Sequence, residues 1–266
     1  GRVLKTYQNT GRTQEFAYHK GILYAVIGDR MNAAAYDIVK TYQGKGTSLG
    51  GSDPQAPFDG TGFRGAYAAE VQDKENPVCA IVAIDAASGA ELWREENIRG
   101  YVACTLAVKG KYAVYQKSTG MVCLSSTDGA PLWNVDKRIE SNDGTAANVL
   151  ILSETMVYAQ EGKSLFAYSI EEGREQWTGP IAGNYEKAAD LFLAAGSIWT
   201  GGTKQPTAHD PATGAMRTTI RQQMNGPMGH DRCYRNFITQ KYYINSKTGG
   251  ADFLALASGQ EFPNHW

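Results

Sequence analysis

The chain has 266 residues, and its 26 Lys and Arg against 27 Asp and Glu give a formal net charge of −1, which excludes the basic excess typical of nucleic-acid-binding proteins. Hydrophobic residues make up 42% and charged residues 20%, so a disordered chain is also excluded. No apolar run approaches the ~20 residues that a transmembrane segment needs. The 30 glycines beside 9 prolines, with 15 tyrosines, indicate many short strands and tight turns.

The first predicted feature is a long insertion at about 28–78, between the strand that follows Gly21 and the turn at Gly89. A long loop in a compact domain is usually a flap, a partner contact or disordered. The insertion contains Tyr, Phe and Arg side chains, so we favour a lid or partner-contact loop over a solvated one, with Arg64 as a ligand-binding candidate. Its Gly60–Gly65 segment spells G-x-G-x-x-G but lacks the flanking strand and helix of a dinucleotide site, so we treat that match as coincidental.

A repeat organises the rest of the chain. In three segments a glycine is followed four residues later by a tryptophan: Gly89 and Trp93, Gly129 and Trp133, Gly173 and Trp177. Two weaker copies end at Gly214 and Gly259, and the five glycines are 40, 44, 41 and 45 residues apart. Such regular spacing predicts five copies of one structural unit, each with its glycine at a turn.

Each unit reads as four short strands. The first strands are predicted at Val102–Val108, Ala146–Leu152 and Ala188–Ala195, and further apolar segments, the turn glycine and the Trp segment follow each of them. Four strands in 40–45 residues match one blade of a β-propeller. The Trp side chains are expected to pack between blades rather than to stack on a ligand. Because Thr218 and Pro263 stand where the last two units should have Trp, those blades are expected to pack differently.

The motif Ala-x-Asp-x-x-x-Gly-x-x-x-Trp at 83–93 resembles the tryptophan-docking motif of the PQQ-like β-propeller superfamily, which includes quinoprotein alcohol dehydrogenases and outer-membrane assembly propellers. The resemblance covers roughly 77–266, and 15–28 more loosely. It implies an all-β propeller of four-stranded antiparallel blades with WD40-like architecture, in a bacterial protein that is periplasmic or extracellular. Rings in this superfamily have seven or eight blades and about five are marked here. Residues 1–266 are therefore expected to be a single propeller domain, and we favour a fragment of a longer ring over an unusually small propeller.

The four cysteines contain no C-x-x-C pair, so they indicate neither a zinc site nor a redox dithiol. Cys104 and Cys123 fall on the first and third strands of one blade, ~9–10 Å apart, which is too far for a disulfide. We therefore favour buried free thiols at all four positions: Cys79, Cys104, Cys123 and Cys233.

One predicted first strand, at 229–236, is polar where the equivalent strands are apolar. Alternation places His230, Arg232 and Tyr234 on one face, where they are candidate catalytic residues for an acidic sugar, with Arg binding the carboxylate and His or Tyr moving the proton. The alternative is an Asp–Arg network that only holds the wall of the channel together. Candidate ligand-binding residues are Arg235, Asn236 and His265. A metal set of His230, Cys233 and His265 lacks a fourth ligand, so no metal is expected.

Two functions follow from the resemblance and from the polar strand. The first is an extracytoplasmic binding or scaffold module for a protein or carbohydrate ligand, with no cofactor. The alternative is an enzyme that uses the strand at 230–236, either a lyase or hydrolase on acidic polysaccharide or, less favoured, a PQQ-dependent oxidoreductase. PQQ with calcium is disfavoured because the catalytic Asp, calcium ligands and adjacent cysteines that the resemblance requires are not assignable in this sequence.

Overall fold

The polypeptide folds into β-strands joined by tight turns in a computed structural model of the chain. The structure describes residues 1–28, 78–102, 105–117, 119–136, 149–161, 164–181, 190–201, 205–220, 236–247 and 250–265. Within these ranges every regular element is a strand, as the composition predicted. The chain divides into two compact units, Gly1–Gly144 and Thr145–Trp266.

The first unit contains two four-stranded antiparallel sheets. Sheet 1 consists of β1 (Thr13–His19), β2 (Ile22–Gly28), β3 (Val78–Asp85) and β4 (Glu91–Arg99). Sheet 2 consists of β5 (Ala107–Lys109), β6 (Tyr112–Lys117), β7 (Gly120–Ser125) and β8 (Pro131–Asp136). Each strand pairs with its neighbour in sequence, so both sheets are meanders of the kind that forms a propeller blade.

The second unit contains three sheets with the same strand order. Sheet 3 consists of β9 (Val149–Leu152), β10 (Met156–Glu161), β11 (Ser164–Ser169) and β12 (Glu175–Pro180). Sheet 4 consists of β13 (Asp190–Ala194), β14 (Ser197–Gly201), β15 (Thr207–His209) and β16 (Met216–Thr219). Sheet 5 consists of β17 (Phe237–Ile238), β18 (Tyr242–Lys247), β19 (Gly250–Ala255) and β20 (Glu261–His265).

The turn between the third and fourth strands has the same structure in all five sheets. Its glycine has φ between 68° and 82° and donates its backbone N–H to the carbonyl four residues earlier, over 2.7–2.9 Å. Glycine adopts this conformation without the steric penalty of a Cβ. The turn positions predicted from the repeat are therefore confirmed: Gly89, Gly129, Gly173, Gly214 and Gly259.

A β-bulge follows this turn in four of the five sheets. The register shifts between Ala83 and Ile84, Cys123 and Leu124, Ala167 and Tyr168, and Ala208 and His209. In sheet 5 the pairing of β19 with β20 runs without such a shift, so Phe262 lies opposite Phe253. Phe262, rather than the predicted Pro263, therefore takes the Trp-equivalent position of sheet 5, and that prediction is wrong by one residue. In sheet 4 the predicted position is correct, because Thr218 lies opposite Ala208 just as Trp177 lies opposite Ala167 in sheet 3.

The first strand of sheet 2 is shorter than predicted. The sequence predicts it at Val102–Val108, whereas β5 starts at Ala107. The Thr105 hydroxyl donates to the Val102 carbonyl over 2.6 Å and accepts the backbone N–H of Gln116 over 3.1 Å. These side-chain bonds satisfy backbone groups that a longer strand would have paired, which is how Thr competes with a regular ladder.

The first strand of sheet 5 also differs from the prediction. The structure has it at Phe237–Ile238, immediately after Asn236. Residues 229–235, which hold most of the predicted polar strand, lie outside the described residues.

The core of the first unit lies where sheet 1 packs on sheet 2. Its residues alternate along the strands, as expected when every second side chain faces the same neighbour. The buried members include Tyr24, Val26, Ile81 and Ala83 of sheet 1 and Leu106, Ala113, Tyr115 and Leu124 near or in sheet 2. In the second unit, two clusters of the same kind centre on Tyr158, Leu165 and Ile198, and on Trp199, Tyr243 and Leu254.

Candidate functional site

Most of the residues predicted to form a ligand or catalytic site lie outside the described residues. They are Arg64, His230, Arg232, Tyr234 and Arg235. His265 ends β20, where its backbone lies opposite Gly250. The roles assigned to these residues stay predictions.

Asn236 is the predicted ligand-binding residue whose side chain the structure describes. It is 3% exposed, and its Nδ2 donates to the Tyr243 hydroxyl over 3.1 Å. The same phenol packs on Gly201 of sheet 4, where a Cβ would overlap the hydroxyl oxygen. The geometry thus places Asn236 in the packing of sheet 5 against sheet 4, and its role in ligand binding stays a prediction.

Trp93 packs on the turn of the neighbouring sheet. Its indole lies over Gly129, where an added Cβ would be 2.8 Å from the ring. Its Nε1 donates to the Ser126 carbonyl over 2.9 Å, and the residue is 8% exposed. A buried indole N–H needs such an acceptor, because leaving it unsatisfied is costly.

Tyr24 shares the acceptor of Trp93, which the sequence did not reveal. Its hydroxyl donates to the Ser126 carbonyl over 3.1 Å, and its ring centroid is 5.9 Å from that of Trp93. Burial raises the pKa of the Tyr24 phenol, although the hydrogen bond to Ser126 opposes this shift. The phenol is therefore a neutral hydrogen-bond donor. Tyr24 lies opposite Ala83, and Ala83 lies opposite Trp93, so the two rings that contact the Ser126 carbonyl come from β2 and β4 on either side of β3.

The same arrangement recurs within the second unit. Trp177 Nε1 and the Tyr158 hydroxyl donate to the Pro211 carbonyl over 3.2 and 3.1 Å, and the two ring centroids are 6.1 Å apart. The Trp177 ring covers Gly214, where a Cβ would be 2.5 Å away. These contacts fit a packing role for both tryptophans. Trp133 is half-buried on β8, and its docking role stays a prediction, as do those of Gly89 and Gly173.

A groove of about 280 Å³ lies at the end of β4. Its lining comes from Glu95–Arg99, Tyr115, Lys117 and Thr119. The register of β3 with β4 shifts between Cys79 and Ile81, and Asn97 has φ 59°. A bulge of this kind bends an edge strand and changes the direction of its side chains.

The groove carries both signs of charge. Glu95 and Glu96 supply carboxylates, and Arg99 and Lys117 supply cations. Burial, together with the negative charge of Glu95, raises the pKa of the Tyr115 phenol well above its ordinary value. That phenol therefore stays protonated at neutral pH, and the charges that the groove presents come from its carboxylates and cations.

The Glu15 carboxylate links β1 of sheet 1 to two residues that precede β5 of sheet 2. Its two oxygens accept the Tyr101 hydroxyl over 2.7 Å and the Leu106 backbone N–H over 2.9 Å. Hydrogen bonds to a carboxylate are stronger than those between neutral groups. We conclude that this carboxylate ties β1 to the chain just before β5.

The described residues form neither a metal-binding cluster nor a membrane-spanning helix. In that part of the chain, no group of three or more His, Cys, Asp or Glu side chains is arranged to hold a metal ion. Across the same ranges, no helix has the length and apolarity needed to cross a bilayer.

Cys79 and Cys123 are buried and neither forms a disulfide. Burial raises the pKa of the Cys123 thiol from 9.0 to about 12. We therefore expect iodoacetamide to leave Cys123 unmodified at pH 9 in the folded chain and to modify it in urea, as measured by peptide mass spectrometry. Because the folded thiol ionises at higher pH than the unfolded one, its contribution to stability is full below pH 9 and is lost as the pH rises toward 12.

An exposed thiol is the control for this measurement. Ala130 is exposed in the turn before β8, so the Ala130→Cys variant should be alkylated rapidly in the folded state. Equal rates at Cys123 and at the introduced thiol would contradict the burial described for Cys123.

Comparison with known proteins identifies the repeat. The family model described as outer membrane protein assembly factor BamB matches residues 80–228. No curated protein sequence matches the chain. BamB from Moraxella catarrhalis is 17% identical, with a TM-score of 0.49 over 71% of this chain and 61% of that chain, so the chain spans less than two thirds of that relative.

Two further solved structures share the fold. The computationally designed protein Ika8 is 12% identical, with a TM-score of 0.52 over 98% of this chain and 76% of that chain. The C-terminal WD40 domain of Sif2 is 9% identical, with a TM-score of 0.50 over 71% of this chain and 54% of that chain. The predicted β-propeller class of fold, built from four-stranded antiparallel sheets, is confirmed. Because the family model covers more than half of its residues, the chain belongs to the PQQ-like repeat family described as outer membrane protein assembly factor BamB.

Proposed function

We propose that this protein is a binding scaffold for other proteins and that it works outside the cytoplasm. Family membership supports this proposal, since the family is described as an outer membrane protein assembly factor. The observation that carries it is the groove along Glu95–Arg99, because it combines an edge strand with a cavity.

The edge strand gives the groove a way to hold an extended segment of a partner. In the described part of the chain, β4 pairs with β3 on one side, and its other side is an edge of sheet 1. A partner strand can add to such an edge through main-chain hydrogen bonds, while pockets beside it select side chains. Leu92, which is 46% exposed on the same strand, offers an apolar contact next to the charged part of the groove.

The charges on β4 favour a specific partner over self-association. Arg94 forms an ion pair with Glu91, with 2.7 Å between Nη2 and Oε2, and Glu95 and Glu96 follow directly. Charged side chains on an edge strand oppose unspecific strand pairing. A partner segment with alternating charge would complement both the carboxylates and the cations of the groove.

A protein segment fits the groove better than a carbohydrate does. Tyr115 is the aromatic residue among the lining residues, and it is 3% exposed. Its ring face is therefore covered by the core and does not offer a platform on which a sugar ring could stack. Carbohydrate binding would need another surface of the chain.

Site-directed photo-crosslinking in cells of the source organism tests the proposal. With a photoreactive phenylalanine at Glu96, we expect a crosslinked product that contains an outer-membrane β-barrel protein or a component of its assembly machinery. The matched control is Thr127, which is exposed in the turn at the opposite end of sheet 2. Equal products from both positions, or none from Glu96 while the variant stays folded, would contradict the groove as a partner site.

The location outside the cytoplasm is tested separately. Cell fractionation should recover the chain with markers of the extracytoplasmic or membrane fractions. Recovery with cytoplasmic enzymes alone would overturn this part of the proposal and leave the crosslinking result to be judged by itself.

A further inference from the structure

The charges that line the groove are sorted along β4. Glu95 and Glu96 supply carboxylates near the middle of the strand, and Arg99 supplies a cation at its last position. A bulge separates the two signs of charge, because Glu96 and Asn97 together lie opposite the single residue Ala80 of β3. The groove therefore has an acidic end and a basic end.

The basic end is formed where the chain leaves sheet 1 for sheet 2. Gly100 follows β4 with φ 67°, and Tyr101 forms an isolated antiparallel bridge with Lys117, the last residue of β6. This crossing brings the end of β6 to the end of β4, so Lys117 lines the same groove as Arg99. Thr119, which carries a hydroxyl, lines it as well. Two cations and a hydroxyl donor are a set that suits a carboxylate ligand.

Glu95 is a carboxylate of the groove that has no counter-ion within the described part of the chain. The neighbouring Arg94 is shared by two other carboxylates, since its Nη2 lies 2.7 Å from Glu91 Oε2 and its Nε lies 3.9 Å from Glu96 Oε1. Glu95 is half-buried, and burial together with its charge raises the pKa of the Tyr115 phenol. The carboxylate therefore acts inside the groove, where water screens a cation of a ligand less than it does at the open surface.

Neither cation of the basic end is neutralised by a described residue. Arg99 is exposed and Lys117 is half-buried, and no ion pair links either of them to a carboxylate in the described ranges. Opposite charges at the two ends of a groove are complementary to a ligand that also carries both signs of charge. The cation of such a ligand belongs beside Glu95, and its anion belongs beside Arg99 and Lys117.

The position of the basic end favours the terminus of a partner chain over its middle. Beyond β4 the edge no longer has strand geometry, because Gly100 has a positive φ and the Val102 N–H donates to the Gln116 carbonyl of sheet 2 over 2.9 Å. A partner strand that runs parallel to β4 would find no further main-chain partners past this point. A chain that ends there presents its α-carboxylate to the two cations, whereas a chain that continues presents neutral peptide groups.

We propose that the groove binds the C-terminal end of a partner protein that has Lys or Arg as its last or next-to-last residue. The partner strand runs parallel to β4, its basic side chain pairs with Glu95, and its α-carboxylate pairs with Arg99 and Lys117. Because it names the segment of a partner that the groove takes, this assignment rests on the proposed function. It adds a strand direction and two charge contacts that the crosslink at Glu96 does not test.

Titration of the full chain with a short peptide, followed by NMR, tests the assignment. The probe is acetyl-Thr-Val-Thr-Val-Lys, whose charges are the lysine ammonium group and the C-terminal carboxylate. We expect saturable shifts at the backbone amides of Glu95–Arg99. The same peptide with a C-terminal amide should bind about tenfold more weakly, because it loses charge-assisted hydrogen bonds. A peptide that ends in Gln should bind about two- to fivefold more weakly, because it loses the ion pair with Glu95.

Variants of the chain assign each contact separately. Arg99→Gln and Lys117→Gln should each weaken binding of the free-acid peptide about two- to fivefold and leave the affinity for the amide peptide unchanged. Glu95→Gln should remove the difference between the peptides that end in Lys and in Gln. Lys111→Gln is the matched control, because this exposed lysine lies at the opposite end of β6, and it should change none of these affinities.

The outcomes separate this assignment from the proposed function. Equal affinity of the free-acid and amide peptides would overturn the α-carboxylate contact and leave the edge strand as a partner site. No binding of either peptide to a chain that keeps its native spectrum, or shifts confined to another part of the chain, would overturn the assignment as a whole. The crosslink at Glu96 would then decide the proposed function by itself.

Discussion

Replacing Trp93 by alanine is expected to lower the free energy of unfolding by about 3–5 kcal/mol, the usual cost of removing a buried aromatic side chain. The indole is 8% exposed, contacts the Gly129 turn and pairs with Tyr24. Its removal leaves a cavity between sheets 1 and 2 and takes one of the two donors from the Ser126 carbonyl. Urea denaturation followed by far-ultraviolet circular dichroism measures the change.

Two variants separate the contributions to this loss. Trp93→Phe keeps much of the ring volume and loses the indole N–H, so it should cost less than Trp93→Ala. Leu92→Ala removes a side chain that is 46% exposed on the same strand and should cost under about 1 kcal/mol. A loss at Trp93 no larger than that at Leu92 would contradict its place in the core.

The parts of the fold that were predictable depend on local chemistry. A turn that needs positive φ selects glycine, and a strand that must fill the space beside a neighbouring sheet selects a large aromatic residue. The glycine recurs in all five sheets and the tryptophan in three of them, so Gly129 and Trp133 mark a turn and the strand that follows it without reference to the rest of the chain. Those signals were enough for the strand order and the class of fold.

The parts that were not predictable depend on contacts between distant residues. The Tyr7 hydroxyl donates to the carbonyl of Ala86, which is 79 residues away, so spacing alone did not connect them. Tyr24 is 102 residues from Ser126, and its role appears only when β2, β3 and β4 are in register. The shortening of β5 depends on the Thr105 hydroxyl, whose bond to the backbone N–H of Gln116 replaces a strand contact.

The groove was missed for a related reason. The segment Glu95–Arg99 continues the predicted Trp strand of sheet 1 and reads as an ordinary charged edge. Its shape comes from the extra residue of the bulge at Asn97 and from its position beside Tyr115 and Lys117, and neither feature has an equivalent in the repeat. A positive-φ asparagine is a known signal of such a bend, but in a sequence it is hard to distinguish from a surface residue.

Replacing Gly214 by alanine is expected to lower the free energy of unfolding through two separate effects. The residue has φ +72°, and an L-residue in this region costs about 1–2 kcal/mol. The added Cβ would also lie 2.5 Å from Trp177 Cε3, so the ring must move and overpacking adds about 1–3 kcal/mol. Urea denaturation, compared with the unchanged chain, gives the sum.

Gly196 supplies the matched control in the same sheet. It has φ +69° and open space where a Cβ would stand, so Gly196→Ala should cost only the backbone strain of about 1–2 kcal/mol. Adding Gly214→Ala to a Trp177→Ala variant should likewise cost only the strain, because the ring it would strike is gone. If Gly214→Ala costs no more than Gly196→Ala in the unchanged chain, Trp177 does not rest on that turn in solution.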